Sequence, residues 1–204
     1  MAQRKRIFIR HGKAIPAGEG QKDIERVLGE VGIEQASARC KAMNGTVIDL
    51  AVSSPAPRAS KTGQIVTGKT DIVIVAALYP DPHDGSLGTV IDHLFVRPHL
   101  GYVPVSKYLQ EECGDVVIEW ADLAHTEWQK TLDDYGNPDV VATFGHAVCL
   151  PALAMQFCQA NPALVAELAE VNLKECEGFA VILDVNDHPV SIEPDELAEL
   201  VKGA

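Results

Sequence analysis

The most constraining feature of this chain is an alternation of short apolar runs with longer helical patterns. Arg6 to Ile9, Leu50 to Ser53, Ile72 to Ala76 and Val140 to Phe144 each read as a strand of four or five residues. Between and after them lie helical segments. One spans about Ile33 to Asn44 and stops at Gly45. Another runs from Pro57 to Thr67, with proline at its first position, and an apolar one covers Ala147 to Gln159. Phe179 to Val185 and His188 to Ile192 read as two late strands around an Asn-Asp turn, and Pro194 to Lys202 as a short acidic helix. Strands that alternate with helices predict an α/β fold with a mostly parallel central sheet flanked by helices. The stretch from Asp84 to Tyr135 breaks the pattern. It holds both tryptophans, Trp120 and Trp128, and no convincing strand, so a helical insertion over about 84–135 is expected within one domain, 1–204.

Composition excludes several classes. Hydrophobic residues are 47% and charged residues 23%, the balance of a globular protein rather than a disordered one. No apolar run approaches the roughly 20 residues of a membrane helix. The basic start, Met1 to Arg6, is followed only by Ile7, Phe8 and Ile9, too short for a secretory core, so a cytoplasmic location and no membrane partner are expected. With 17 Lys and Arg against 29 Asp and Glu, the formal net charge of −12 disfavours nucleic-acid binding. It leaves room for a small anion site built from converging arginines. The five cysteines (Cys40, Cys113, Cys149, Cys158, Cys176) form no Cys-x-x-Cys pair, and His93, His99 and His125 lack metal-ligand spacing with nearby carboxylates. No metal and no cofactor are expected.

Ligands of open α/β sheets bind beyond the carboxyl ends of the strands. The first strand delivers Arg10, His11 and Gly12 there. The second delivers Ser53, Ser54 and Pro55, with Arg58 on the first turn of the next helix. The fourth delivers Gly145 and His146. Two arginines and two histidines thus reach one edge from three strands. Guanidinium forks match phosphate oxygens and stay charged at any working pH. A neutral imidazole between them can attack phosphorus, and a protonated one can donate to a phosphoryl oxygen. Gly12 is expected to let the backbone approach the anion.

Ile9-Arg10-His11-Gly12 looks like the signature of the histidine phosphatase, or phosphoglycerate-mutase-like, superfamily. Ser53-Ser54-Pro55-Ala56-Pro57-Arg58-Ala59, with Thr62 beyond, resembles its second motif, and Phe144-Gly145-His146 its third. Arg10-His11-Gly12-Lys13-Ala14, the segment Asp23-Ile24-Glu25-Arg26-Val27-Leu28 and Leu78-Tyr79-Pro80 resemble the phosphohistidine phosphatase branch. Val27 stands where that branch usually has proline, and Ala147-Val148-Cys149 replaces a more polar continuation. The resemblance implies a metal-independent phosphatase acting on a phosphoprotein (phosphohistidine) or a small phosphomonoester. His11 would be the transiently phosphorylated nucleophile. Arg10, Arg58, His146 and Arg26 would hold the phosphoryl oxygens. Larger members of the superfamily carry a general acid that has no clear counterpart here; Asp81 is the candidate, beside His83 and Asp84, although a turn residue fits Asp81 as well. Two alternatives stay open: a mutase-like phosphotransferase, and an inactive relative that binds phosphorylated ligands.

Overall fold

The computed structural model describes residues 4–43, 45–80, 103–110 and 114–194. Asp81, His83, Asp84, His93, His99, Cys113, the first part of the expected insertion and the acidic helix expected after Pro194 lie outside the described residues.

Six strands form one sheet in the order β3-β2-β4-β1-β5-β6. They are β1 (Lys5–Arg10), β2 (Leu50–Ser53), β3 (Val73–Ile74), β4 (Val140–Gly145), β5 (Gly178–Leu183) and β6 (Pro189–Pro194). The first four run parallel, whereas β5 pairs antiparallel with β1, and β6 with β5. Helices cover both faces, which is why the central strands are apolar on both sides. On one face Ile7, Ile9, Ala51, Ala142 and Phe144 pack with Ala36 of α1 (Glu30–Ala42) and Val66 of α2 (Pro57–Thr67). On the other, Phe8, Val52, Val141 and Val181 pack with Trp128 and Leu132 of the long α4 (Gly114–Asp134), which follows the one-turn α3 (Val105–Leu109), and with Leu153 of α5 (Cys149–Phe157) and Leu168 of α6 (Pro162–Ala169).

The expected parallel α/β sheet is therefore present, with some boundaries moved. β3 spans two residues rather than five, because the chain turns into a 3-10 helix at Ala76–Leu78. The helix expected to reach Asn44 ends at Ala42. Helix α6 was not anticipated. Its start is signalled by Asn161, whose side chain accepts from the Leu164 amide, and by Pro162 in the first turn. The tryptophan-bearing segment contributes α4 to the core. Trp128 Nε1 donates to Thr143 Oγ1 at 3.0 Å and Trp120 Nε1 to the Ala77 carbonyl at 3.1 Å. Among the described residues, no helix is long and apolar enough to cross a membrane.

Candidate functional site

Parallel register brings the motif residues level. Arg10 pairs with Gly145, and Ser53 with Phe144, so the segments that follow β1, β2 and β4 leave the sheet side by side. The turn after β1 is pressed against the first turn of α1. A Cβ on Gly12 would lie 2.6 Å from the Gly32 carbonyl oxygen, and one on Gly32 would lie 2.3 Å from that of Lys13. The glycine is thus required by backbone contact with α1. Thr62 secures the same turn. Its hydroxyl accepts from the Gly12 amide at 3.0 Å and donates to the Arg58 carbonyl at 2.7 Å.

Both histidines are buried, and their rings meet edge to face at 5.1 Å. His11 Nδ1 lies 2.7 Å from the Gly12 carbonyl, and its Nε2 receives the Nε–H of Arg58 at 3.1 Å. A carbonyl only accepts and a guanidinium only donates, so the proton sits on Nδ1 and the lone pair on Nε2. Burial, then the neighbouring Arg58, push the His11 pKa down to about 3, and this ring is a neutral imidazole at neutral pH. His146 Nε2 is 3.0 Å from Ser54 Oγ, and its Nδ1 is 3.5 Å from Arg58 Nη2. Burial, then His11 and Arg58, hold its pKa well below the usual range. Both imidazoles are therefore neutral at neutral pH.

Three arginines surround the imidazoles. Arg58 is 2% exposed. Its Nη1 donates to the backbone carbonyl of Asp23 at 2.5 Å and its Nη2 to Asp23 Oδ2 at 2.6 Å. Arg26 donates through Nη1 to Asp23 Oδ1 at 2.8 Å and through Nε to the Ile15 carbonyl at 2.9 Å. Tyr79 adds a third donor, its hydroxyl lying 2.9 Å from Asp23 Oδ2, while its ring meets His146 edge-on at 5.1 Å. Burial alone would raise the Asp23 pKa, but hydrogen bonding from Arg26, the charge of Arg58 and the Tyr79 hydroxyl outweigh it and hold the carboxyl below its ordinary value. Arg10 donates to the Leu173 carbonyl at 2.6 Å, with Glu175 Oε1 at 3.9 Å.

A cavity of about 390 Å³ lies between these groups, with Arg10, His11, Arg26, Arg58, His146 and Asp23 in its wall. Its size suits a small ligand or one protruding side chain. Cys149 also lines it, but burial pushes the thiol up to about 12, so it carries no thiolate at neutral pH. A larger hollow of about 640 Å³ lies beyond Tyr79, and Glu127 is the single carboxylate among its described lining residues. No group of three His, Cys, Asp or Glu side chains suited to a metal ion occurs among the described residues.

Every site residue expected from sequence that lies among the described residues lines this one cavity. Asp23 and Glu175 were not singled out as site residues. Asp23 was visible only as the first residue of the segment that nominated Arg26. Glu175 lies in the loop before the antiparallel β5, where counting strand carboxyl ends does not look.

Residues 7–78 match the model of the histidine phosphatase superfamily (branch 1). That is about a third of the chain, the part that holds Arg10, His11, Arg26 and Arg58. The superfamily recognised from the motifs is therefore the one the comparison finds. A search of curated proteins gives no match. Among solved structures, a mycobacterial glucosyl-3-phosphoglycerate phosphatase is similar at 16% identity and a TM-score of 0.63, with 95% of this chain and 98% of that one covered. A phosphoserine phosphatase from Entamoeba histolytica, solved with 3-phosphoglyceric acid, is similar at 19% identity and a TM-score of 0.62, covering 94% and 98%. A putative phosphohistidine phosphatase, SixA, from Agrobacterium tumefaciens is similar at 18% identity and a TM-score of 0.54, covering 93% and 97%. These likenesses establish the fold.

Proposed function

We propose that the protein is a metal-independent phosphatase that works through a phosphohistidine on His11. One observation carries this reading: an unprotonated Nε2, with its ring braced at Nδ1, opens on a cavity walled by Arg10, Arg26 and Arg58. In the first step the Nε2 lone pair attacks phosphorus, and the bond from phosphorus to the leaving group breaks. Arg58 Nε, released from Nε2, then donates to a phosphoryl oxygen, and Arg10 and Arg26 share the remaining charge. His146 donates to another oxygen from Nδ1. The Ser54 hydroxyl makes this possible, since it can accept from Nε2 before substrate binds and donate to Nε2 once the proton has moved to Nδ1. In the second step water attacks phosphorus and the P–N bond breaks, returning neutral His11 and inorganic phosphate.

The substrate is a phosphohistidine protein or a small phosphomonoester. Both carboxyl groups in the described wall of the cavity face arginine: Asp23 is held by two arginines and a tyrosine, and Glu175 Oε1 lies 3.9 Å from Arg10 Nη2. That favours leaving groups that need little protonation, imidazole and aryl oxides before alkoxides. The similar structures named for phosphatases of glucosyl-3-phosphoglycerate, phosphoserine and phosphohistidine support a phosphoryl substrate of this range.

The test is to quench the protein during turnover of an aryl phosphate and of a phosphohistidine protein, then look for acid-labile phosphate on His11. Its appearance in the wild type and loss in His11→Ala is the expected result. Tight phosphate binding with no phosphoenzyme on any substrate would identify a phospho-ligand-binding relative instead.

A further inference from the structure

The two arginines on the Arg58 side of the cavity already hold an anion. Asp23 takes Arg26 on Oδ1, and Arg58 and the Tyr79 hydroxyl on Oδ2, all within 2.9 Å. These donors are the ones a phosphoryl group on His11 would need. The arrangement has a physical cause. A guanidinium as buried as Arg58 is costly to leave without a counter-charge, and the fold supplies one in Asp23. It has a consequence as well. A phosphoryl group brings negative charge against the same donors, and two anions compete for a shared pair of cations.

Asp23 is built to yield. It sits at the start of a single 3-10 turn, Asp23–Glu25, and its side chain is 33% exposed, against 2% for Arg58. Its backbone carbonyl holds Arg58 Nη1 independently of the carboxylate. The side chain can therefore swing toward solvent while the arginine stays in place. Arg10 has anchors of its own, the Leu173 carbonyl at 2.6 Å and Glu175 Oε1 at 3.9 Å.

We propose that the Asp23 carboxylate is a resident competitor for the phosphoryl group: it neutralises Arg58 and Arg26 before substrate binds, surrenders them to substrate, and reclaims them to release inorganic phosphate. This rests on the phosphatase reading above and adds a residue that sets product affinity. Asp23 forms no bond to the reacting atoms, so its effect belongs to binding and release.

Calorimetric titration of inorganic phosphate into the wild type, Asp23→Asn and Asp23→Glu tests the idea, with melting temperatures confirming that each variant is folded. Asp23→Asn should bind phosphate roughly tenfold more tightly. Asp23→Glu, which keeps the charge, should stay near the wild type. In turnover, Asp23→Asn should lower KM and kcat together, with stronger inhibition by phosphate. Unchanged or weaker phosphate binding in folded Asp23→Asn would overturn the proposal and leave Asp23 as a residue that orients arginines. Should Asp23→Asn fail to fold, Asp23→Ser makes the same comparison. If neither wild type nor variant binds phosphate, the phosphatase reading itself falls and this inference with it.

Discussion

Two ends of the same sheet each carry buried arginine facing acid, and the arginine at the carboxyl end lines the candidate cavity. At the amino end of β1, Arg6 is 2% exposed, as is Arg58 at the other end. Its Nη1 donates to the carbonyls of Pro138 and Asp139 at 2.9 and 3.1 Å, and its Nη2 to Asn137 Oδ1 at 2.6 Å. Arg4 stands beside it, paired with Asp139 at 3.0 Å and with Asp187. Burial, then Arg4, pull the Arg6 pKa down to about 10, which still leaves it charged at neutral pH. Much of that cluster ends on main-chain carbonyls, acceptors that cannot leave. At the carboxyl end, Arg58 has one such carbonyl, that of Asp23, and otherwise ends on an imidazole lone pair and on a carboxylate that can move. A buried arginine is thus no sign of function by itself. What distinguishes the site is that its partners are exchangeable and face open space.

The comparison can be broken in four ways. The largest effect is expected from His11→Ala, which should cut phosphate release from an aryl phosphate by about 10⁴-fold or more, while phosphate binding by calorimetry is partly retained. Next comes the matched pair of arginines. Arg58→Ala should lower kcat/KM by roughly 10²–10³ through both kcat and KM, as it serves bound substrate and transition state. Arg6→Ala should leave KM unchanged but strand the carbonyls it now satisfies. A loss of about 2–4 kcal/mol, read as a melting temperature some 5–15 °C lower, is expected. An Arg6 variant that stays stable but loses substrate affinity would erase the distinction between the two ends.

A smaller effect should appear in acid. The folded pKa of His11 lies near 3, below the roughly 6.5 of an unfolded histidine, so between those values the unfolded chain binds the extra proton. The stability this neutral ring contributes is present above about pH 6.5 and is lost as pH falls toward 3. His146 acts in the same direction. Melting temperatures between pH 7 and 4 should therefore fall less steeply for His11→Gln than for the wild type. The smallest effect is none at all. Chelation with EDTA should leave turnover unchanged, and a loss restored by added metal would show that guanidinium groups do not supply all the positive charge.

Much of this site could be read from the chain because parallel strands impose a shared edge. Once β1, β2 and β4 are recognised, Arg10, His11, Arg58 and His146 must arrive near one another. The bounds of α2 were legible for a local reason, since Pro57 starts the helix and Gly68 ends it in the left-handed conformation. Asp23 was harder. It belongs to an irregular loop, and its importance lies in holding Arg26 and Arg58 at once, a pairing that no period in the sequence records. The neutrality of His146 could not be read from a motif, because it comes from burial beside His11 and the arginines. Glu175 was hidden by topology, since β5 runs backward and presents its amino end at the site.

The brace on His11 Nδ1 comes from the very next residue in the chain, within the turn that Gly12 and Gly32 pin to α1. A nitrogen committed to its neighbour's carbonyl cannot trade places with the other without dismantling that turn. On the phosphatase reading the covalent adduct is consequently a single positional isomer, the τ-phosphoimidazole. One-bond coupling between phosphorus-31 and nitrogen-15 in labelled protein would appear at Nε2 alone.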